Sequence, residues 1–298
     1  MTGYSFTLFI LFAATRLGSR NGEEPGLRVS LPQTPLRPGA VVLVTLESPR
    51  PLESVEARAF DRAFPFYTEE GGRVWHGLVG IDLAVEPGRH PVTVEAKESG
   101  GAAATLTRHL VVRPGNFPTR RLTVDERFAN PPREALDRIR EESRRLEEIF
   151  AAASASRLWR NFLLPVEAPP NSSFGKRSIV NGRPASPHSG TDFDAPAGAA
   201  VRAPSGGRVA LAEDLYYSGN TVILDHGLGL YSYLAHLSRI AVVPGAQVKP
   251  GDLVGAVGAT GRVTGPHLHW SVRLSGARVD PLSLLSALRS PARTRASR

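Results

Sequence analysis

The 298-residue chain has no cysteine, which excludes disulfide scaffolds and every thiolate metal or redox site. Lysine is nearly absent as well. It occurs only at Lys97, Lys176 and Lys249, so the excess of 36 basic over 28 acidic residues is almost wholly arginine. The net charge of +8 suits an anionic partner such as nucleic acid, anionic lipid or an acidic wall polymer. The arginines are scattered rather than striped, however, and no nucleic-acid motif accompanies them. Long apolar runs are also missing. The run at the start, Tyr4–Ala14, is shorter than the roughly 20 residues that span a bilayer but has the length of a secretory h-region. No Lys or Arg precedes it, and Ala13-Ala14-Thr15 is a loose cleavage site. Export to the periplasm or cell envelope is the expectation; peripheral membrane association through this segment and a misplaced start codon are the competitors.

Glycine and proline are plentiful instead, at 29 and 25 residues, and favour turns over a helical bundle. With 41% apolar and 21% charged residues the chain is globular and long enough for two cores. Residues 1–26 form the apolar N-terminal segment. Across residues 27–115, short β-like runs at Leu27–Leu31, Ala40–Leu46, Ser54–Phe60, Arg73–Ile81, His90–Ala96 and Ala102–Val112 are separated by turns. That spacing predicts an immunoglobulin-like β-sandwich. Its histidines, His76, His90 and His109, lack ligand spacing and are expected on strand surfaces or partly buried.

Residues 116–163 read as a linker carrying one amphipathic helix, about Pro131–Ala153. Asn130 stands as its N-cap, with proline at the first helical position. Leu136, Ile139, Leu146, Ile149 and Phe150 share a face, and Glu134/Arg138, Glu141/Arg145 and Arg144/Glu148 are spaced for i,i+4 pairs. Residues 164–288 return to glycine-rich β structure, with tight turns at Gly219-Asn220 and Gly227-Leu-Gly229. Residues 289–298 are a basic tail. The predicted fold is therefore mainly β, with a sandwich, a connecting helix and a C-terminal glycine-rich β domain.

Two strings in the last segment carry chemistry. His188-Ser-Gly-Thr-Asp192 and His267-Leu-His269 offer imidazole and carboxylate donors of the kind that hold zinc, where three protein ligands leave a position for water. If Pro266–Arg273 is a strand, His267 and His269 project to one side, because side chains two apart share a face. Gly190 permits either a straight strand or a turn between His188 and Asp192. His236 ends another strand-like run. His226, beside the turn at Gly227, reads as structural. Tyr217 and Tyr233 read as strand packing, and Asn220 and Arg177 as lesser candidates for shaping a pocket. The helical His-Glu-x-x-His zinc motif is absent.

Phe174-Gly-Lys-Arg177, Pro187-His-Ser-Gly-Thr-Asp192, Tyr233-Leu-Ala-His-Leu237 and Gly261-Arg-Val-Thr-Gly-Pro-His-Leu-His-Trp270 resemble, in order, the motifs of the M23 peptidoglycan metalloendopeptidases of lysostaphin and LytM type. The resemblance covers about residues 165–288. It implies the duplicated hybrid β fold of that family, one Zn²⁺ per chain held by His188, Asp192 and His269, and His236 and His267 as the catalytic pair. It implies hydrolysis of peptide cross-links or stem peptides of peptidoglycan, with no nucleic-acid partner; the oligomeric state is left open. The upstream module would bind the wall or inhibit the enzyme. A non-enzymatic LytM-type activator of cell-wall amidases is the alternative, and a carrier domain built on the turn Val248-Lys-Pro-Gly-Asp is a weaker one.

Overall fold

Seven strands build the first unit: β1 (Arg28–Ser30), β2 (Val41–Glu47), β3 (Leu52–Ala59), β4 (Arg62–Thr68), β5 (Val74–Gly80), β6 (Gly88–Glu98) and β7 (Ala103–Val112). All pair antiparallel, in the order β1-β2-β5-β4-β3-β6-β7. Period-2 burial in β6 and β7, as at Val92, Val94 and Ala96, turns one face of these strands inward, whereas β2 is buried on both faces. β4 changes partner along its length: Arg62–Pro65 pairs with β3, and Phe66–Thr68 pairs with β5. It thus carries the chain from one layer of the sandwich to the other. The pattern of the sequence misses β4, because its hairpin is made by Phe60 and Asp61 at φ +52° and +58° rather than by glycine. The structure, a computed structural model, describes residues 26–289 except 69–70, 99, 102, 153 and 172. The apolar start through residue 25 and the basic tail from residue 290 lie outside the described residues. No helix among the described residues is long and apolar enough to cross a membrane.

The linker contributes a strand as well as helices. β8 (Thr119–Leu122) precedes α1 (Glu126–Ala129) and α2 (Arg133–Ala151). Asn130 does not cap the long helix as expected: it closes α1, and Pro132 stands at the N-cap of α2 without a side-chain bond. The expected apolar stripe meets the sheet only in its second half, where half-buried Leu146, Ile149 and Phe150 pack on Leu211, Leu215, Ile223 and Tyr231. Leu136 stays 36% exposed, so the N-terminal half of the stripe does not reach the sheet. There, polar contacts replace it. Arg138 bonds Glu142 (2.5 Å) and Asp214 (3.0 Å), Arg145 bonds Glu213 (2.6 Å), and Glu142 accepts from the Tyr216 amide. Of the three expected i,i+4 pairs, only Arg144–Glu148 forms among the described residues, because Arg138 is taken by Glu142 and Asp214 and Arg145 by Glu213.

The C-terminal unit comprises β9 (Arg177–Val180), β10 (Arg183–Ala185), β11 (Gly190–Phe193), β12 (Ala200–Arg202), β13 (Gly207–Leu215), β14 (Gly219–Gly227), β15 (Leu230–Ile240), β16 (Gln247–Val248), β17 (Leu253–Val257), β18 (Leu268–Leu274) and β19 (Ala277–Val279). A nine-stranded antiparallel sheet runs β11-β18-β15-β14-β13-β16, with β12, β17 and β19 attached. Leu234, Leu268, Trp270 and Val272 are wholly buried on one face. The opposite face is shared by α2 and an open groove. β8 pairs parallel with β9 and, with β10, forms a three-stranded wall beside that groove. A closing helix α3 (Pro281–Arg289) was not anticipated, although Asp280-Pro281 is a helix-start signal and Asp280 Oδ1 accepts from the Leu282 amide (2.9 Å).

The two units share a continuous core. Asp82 receives the Arg278 backbone amide (2.7 Å) and two guanidinium bonds (3.0 and 2.6 Å). The Val41 amide donates to Ser283 Oγ, and the Asp280 amide to the Gly39 carbonyl. Gly80 is required at the seam, since a β-carbon there would stand 2.8 Å from Val279.

Candidate metal centre and its family

Antiparallel register builds the centre. Asp192 on β11 lies directly opposite His269 on β18, which in turn faces Ala235 on β15. Asp192 Oδ1 is 2.8 Å from His269 Nδ1 and 3.0 Å from His188 Nε2, and the two ring nitrogens are 3.0 Å apart. Three donor atoms thus form a triangle with edges near 3 Å. Ligands on a tetrahedral zinc at bonds of ~2.0–2.1 Å would lie about 3.3 Å apart, so the triangle is close to that size. Its chemistry fits too. His188 Nδ1 donates to the Ser173 carbonyl (3.1 Å), which leaves Nε2 as a lone pair pointing at His269 and Asp192. Electron pairs converging on one point are what a divalent cation satisfies.

Gly190 serves this geometry differently from either reading of the sequence. It lies in β11 with ordinary backbone angles, but a β-carbon would stand 2.6 Å from His269 Cε1 and 2.6 Å from the Trp270 carbonyl. The glycine clears space for the ring. Buried Ser173 secures the same loop by accepting the Asp192 amide on its hydroxyl (2.9 Å).

The remaining two imidazoles stand beside the triangle. His236 and His267 have ring centroids 4.9 Å apart, and His236 lies 5.9 Å from His269. His236 leaves strand geometry at φ +64°, a left-handed conformation that costs about 1–2 kcal/mol for a non-glycine residue. Its amide donates to the Ser218 carbonyl and its Nδ1 donates to the Thr260 carbonyl (2.9 Å), which fixes Nε2 as the free nitrogen. His267 precedes β18 rather than lying within it, held by a bridge to Gly258 and by Nδ1 donating to the Gly265 carbonyl (2.9 Å). Its Nε2 is 3.9 Å from Asp192 Oδ1. All five residues border one groove of about 590 Å³.

Electrostatics keep the donors in the forms a cation needs. Burial pushes His188 below its ordinary value by more than the Asp192 bond raises it. Burial would raise Asp192, but its closeness to the His188 and His269 rings, which favour the carboxylate whenever they carry a proton, outweighs it and holds the carboxyl far below the usual range. Burial, with the neighbouring His269 and His267, lowers His236 to about 3.

The lesser candidates separate. His226 is wholly buried, with Nδ1 on the Gly206 carbonyl (2.7 Å) and Nε2 on Ser232 Oγ (2.9 Å), away from the groove. Asn220 and Arg177 do not border the groove; Asn220 instead bonds the Leu237 carbonyl behind His236 (3.1 Å). Tyr217 and Tyr233 do border it, and Tyr233 donates to Ser218 Oγ (2.6 Å). The sequence reading missed Ser173 and Arg120. Arg120, on β8, bonds Ser178 Oγ (3.2 Å) and sets its guanidinium 3.6 Å from Asp192 Oδ2. No local motif announces it, because the parallel pairing of β8 with β9 alone brings it there.

The family model for Peptidase family M23 matches residues 186–281. A crystal structure assigned to peptidase M23 from Pseudomonas aeruginosa is 34% identical, covers 85% of this chain and 96% of its own, and superposes with a TM-score of 0.66. The chain belongs to peptidase family M23. Among curated proteins, a DD-carboxypeptidase/endopeptidase, Mpg, of Neisseria meningitidis is 40% identical over 111 residues, 37% of this chain and 25% of that protein. A peptidoglycan DD-endopeptidase, ShyA, of Vibrio cholerae is 41% identical over 96 residues, 32% of this chain and 22% of that protein. The chain thus matches about a quarter of the length of these relatives.

Proposed function

We propose that this chain is a zinc-dependent endopeptidase that hydrolyses peptide cross-links or stem peptides of bacterial peptidoglycan. The observation that carries the reading is the convergence of His188 Nε2, Asp192 Oδ1 and His269 Nδ1 beside two further imidazoles in an open groove. The Vibrio cholerae relatives, named as peptidoglycan DD-endopeptidases, suggest the substrate class. Such a polymer lies outside the cytoplasm, in keeping with an exported chain in the periplasm or envelope.

When bound by these three residues, one zinc ion supplies Lewis acidity and lowers the pKa of water. The chain does the rest. Ser173 and the backbone of β18 orient the donors. His236, with Nδ1 committed to the Thr260 carbonyl, and His267, with Nδ1 committed to the Gly265 carbonyl, both present Nε2. The pair divides two tasks: one Nε2, as a lone pair, takes a proton from the attacking water and returns it to the leaving amine, and the other, protonated at Nε2, donates a hydrogen bond to the oxyanion of the cleaved carbonyl. The alternative, a non-enzymatic activator of amidases, is disfavoured because all five polar positions are filled.

The test is digestion of purified cell wall with zinc-loaded protein, with products read by mass spectrometry. Newly cleaved peptide bonds, abolished by a chelator and restored by zinc, are expected. A protein that carries one equivalent of zinc yet releases no peptide from the wall would overturn the reading.

A further inference from the structure

The groove continues past the imidazoles. Along β18, His269, Ser271 and Arg273 share one face, which sets Arg273 about 13 Å from His269 at the usual strand rise. Its side chain borders the groove and also a second cavity of about 550 Å³, where α2 approaches Arg62 and Pro65 of the sandwich. Phe150 and Glu147 of α2 border both spaces, so the two meet at Arg273.

Arg273 is half-buried and makes no ion pair with any described carboxylate. Its close neighbour is the ring of Phe150, 5.3 Å from the guanidinium carbon. Asp82 is already taken by Arg278 through three bonds, and Glu147, though it borders the same spaces, is unpaired with it. Burial, then repulsion from Arg278, lowers the guanidinium to about 10, against weaker support from Asp82 and Tyr233. The ring offsets only part of the cost of desolvating a cation that has no counter-ion, and an arriving anion relieves the rest. Arginine offers a planar fork that matches a carboxylate.

We propose that Arg273 is a specificity-determining residue that binds a free carboxylate of an extended peptide substrate, about four residues from the bond cut at the His188–Asp192–His269 centre. The distance follows from ~3.3 Å of rise per extended residue. The proposal rests on the peptidase reading for its substrate, but its test is separable.

Full-length zinc-loaded protein is co-sedimented with purified sacculi, either native or with their free carboxyls amidated, while peptide release is followed in the same samples. Wild type is expected to prefer native sacculi about tenfold or more, as a charged bidentate bond would give. Arg273→Gln loses most of that preference, whereas Arg108→Gln, an equal loss of charge on the sandwich, keeps it. Equal behaviour of the two variants overturns the proposal. So does a wild type that binds both kinds of sacculi alike. Absence of peptide release by wild type would instead strike the peptidase reading, leaving the binding comparison to decide the subsite. If Arg273→Gln melts early, Arg273→Lys replaces it: charge without the fork gives an intermediate preference, and a wild-type preference overturns the bidentate contact.

Discussion

The sandwich and the C-terminal sheet are both antiparallel, both rich in turns, and both carry histidines, yet only one concentrates them. In the sandwich, His76 meets Thr45, His90 meets the Glu86 carbonyl and His109 meets Arg89, each satisfied by its own neighbourhood. In the C-terminal sheet, His188, His236, His267 and His269 face a common groove, and only His226 is spent on packing. Strand register makes the difference. A residue two places off in β11 would lose Asp192 from opposite His269, and a shift of one would turn it to the other face.

The sharpest way to break this contrast is to remove donors from each region. Asp192→Ala or His188→Ala is expected to abolish stoichiometric zinc, read by metal analysis, and to lower wall hydrolysis on the order of 10³-fold or more. His236→Ala and His267→Ala should cost about 10²–10⁴-fold in hydrolysis while zinc stays bound. Alanine at His90 or His109 should change neither. Loss of zinc from the His236 or His267 variant would show that the division into ligands and proton-handling residues is wrong.

A smaller effect probes what the sheet gave up to hold the ring. Gly190→Ala puts a methyl 2.6 Å from His269 Cε1 and from the Trp270 carbonyl. It should cost about 1–3 kcal/mol in thermal stability through overpacking, and should weaken zinc affinity. Unchanged affinity in a chelator competition would mean that His269 is free to move.

The seam between the two regions gives the smallest effect and a pH signature. Burial alone would raise Asp82, but the bonds from Arg278 and Ala84 bring it from 3.8 to about 2. A carboxyl depressed in the folded state stabilises fully above its unfolded value and loses that contribution as pH falls through the folded one. Stability worth roughly 2 kcal/mol should therefore vanish between about pH 4 and pH 2. Asp82→Asn should flatten that part of the acid-unfolding curve; a variant as acid-sensitive as wild type would assign the loss elsewhere.

Much of this was legible in the residues. The apolar run of β2, the alternation in β6 and β7 and the His-x₃-Asp and His-x-His spacings point to a mainly β chain with metal-ligating potential, and the motif order points to the M23 family. What escaped was set by tertiary contact. β4 turns without glycine, and Asn130 serves the short α1 instead of α2. Arg145 turns to Glu213 on the sheet, and Arg138 divides itself between Glu142 of its own helix and Asp214 of the sheet, instead of the helix partners the spacing offered. Arg120 and Ser173 reach the centre only because the chain doubles back through β8 and the loop before β9, which no local pattern encodes.

That borrowed wall limits how this module can be moved. A chimera that carried only residues 186–281 onto another anchor would leave behind the carbonyl that fixes the His188 tautomer and the arginine beside Asp192. It would also lose the whole of β9 and β10, and with them the side of the groove. A graft beginning at β9 instead would expose an unpaired parallel edge where β8 had been, an invitation to aggregate.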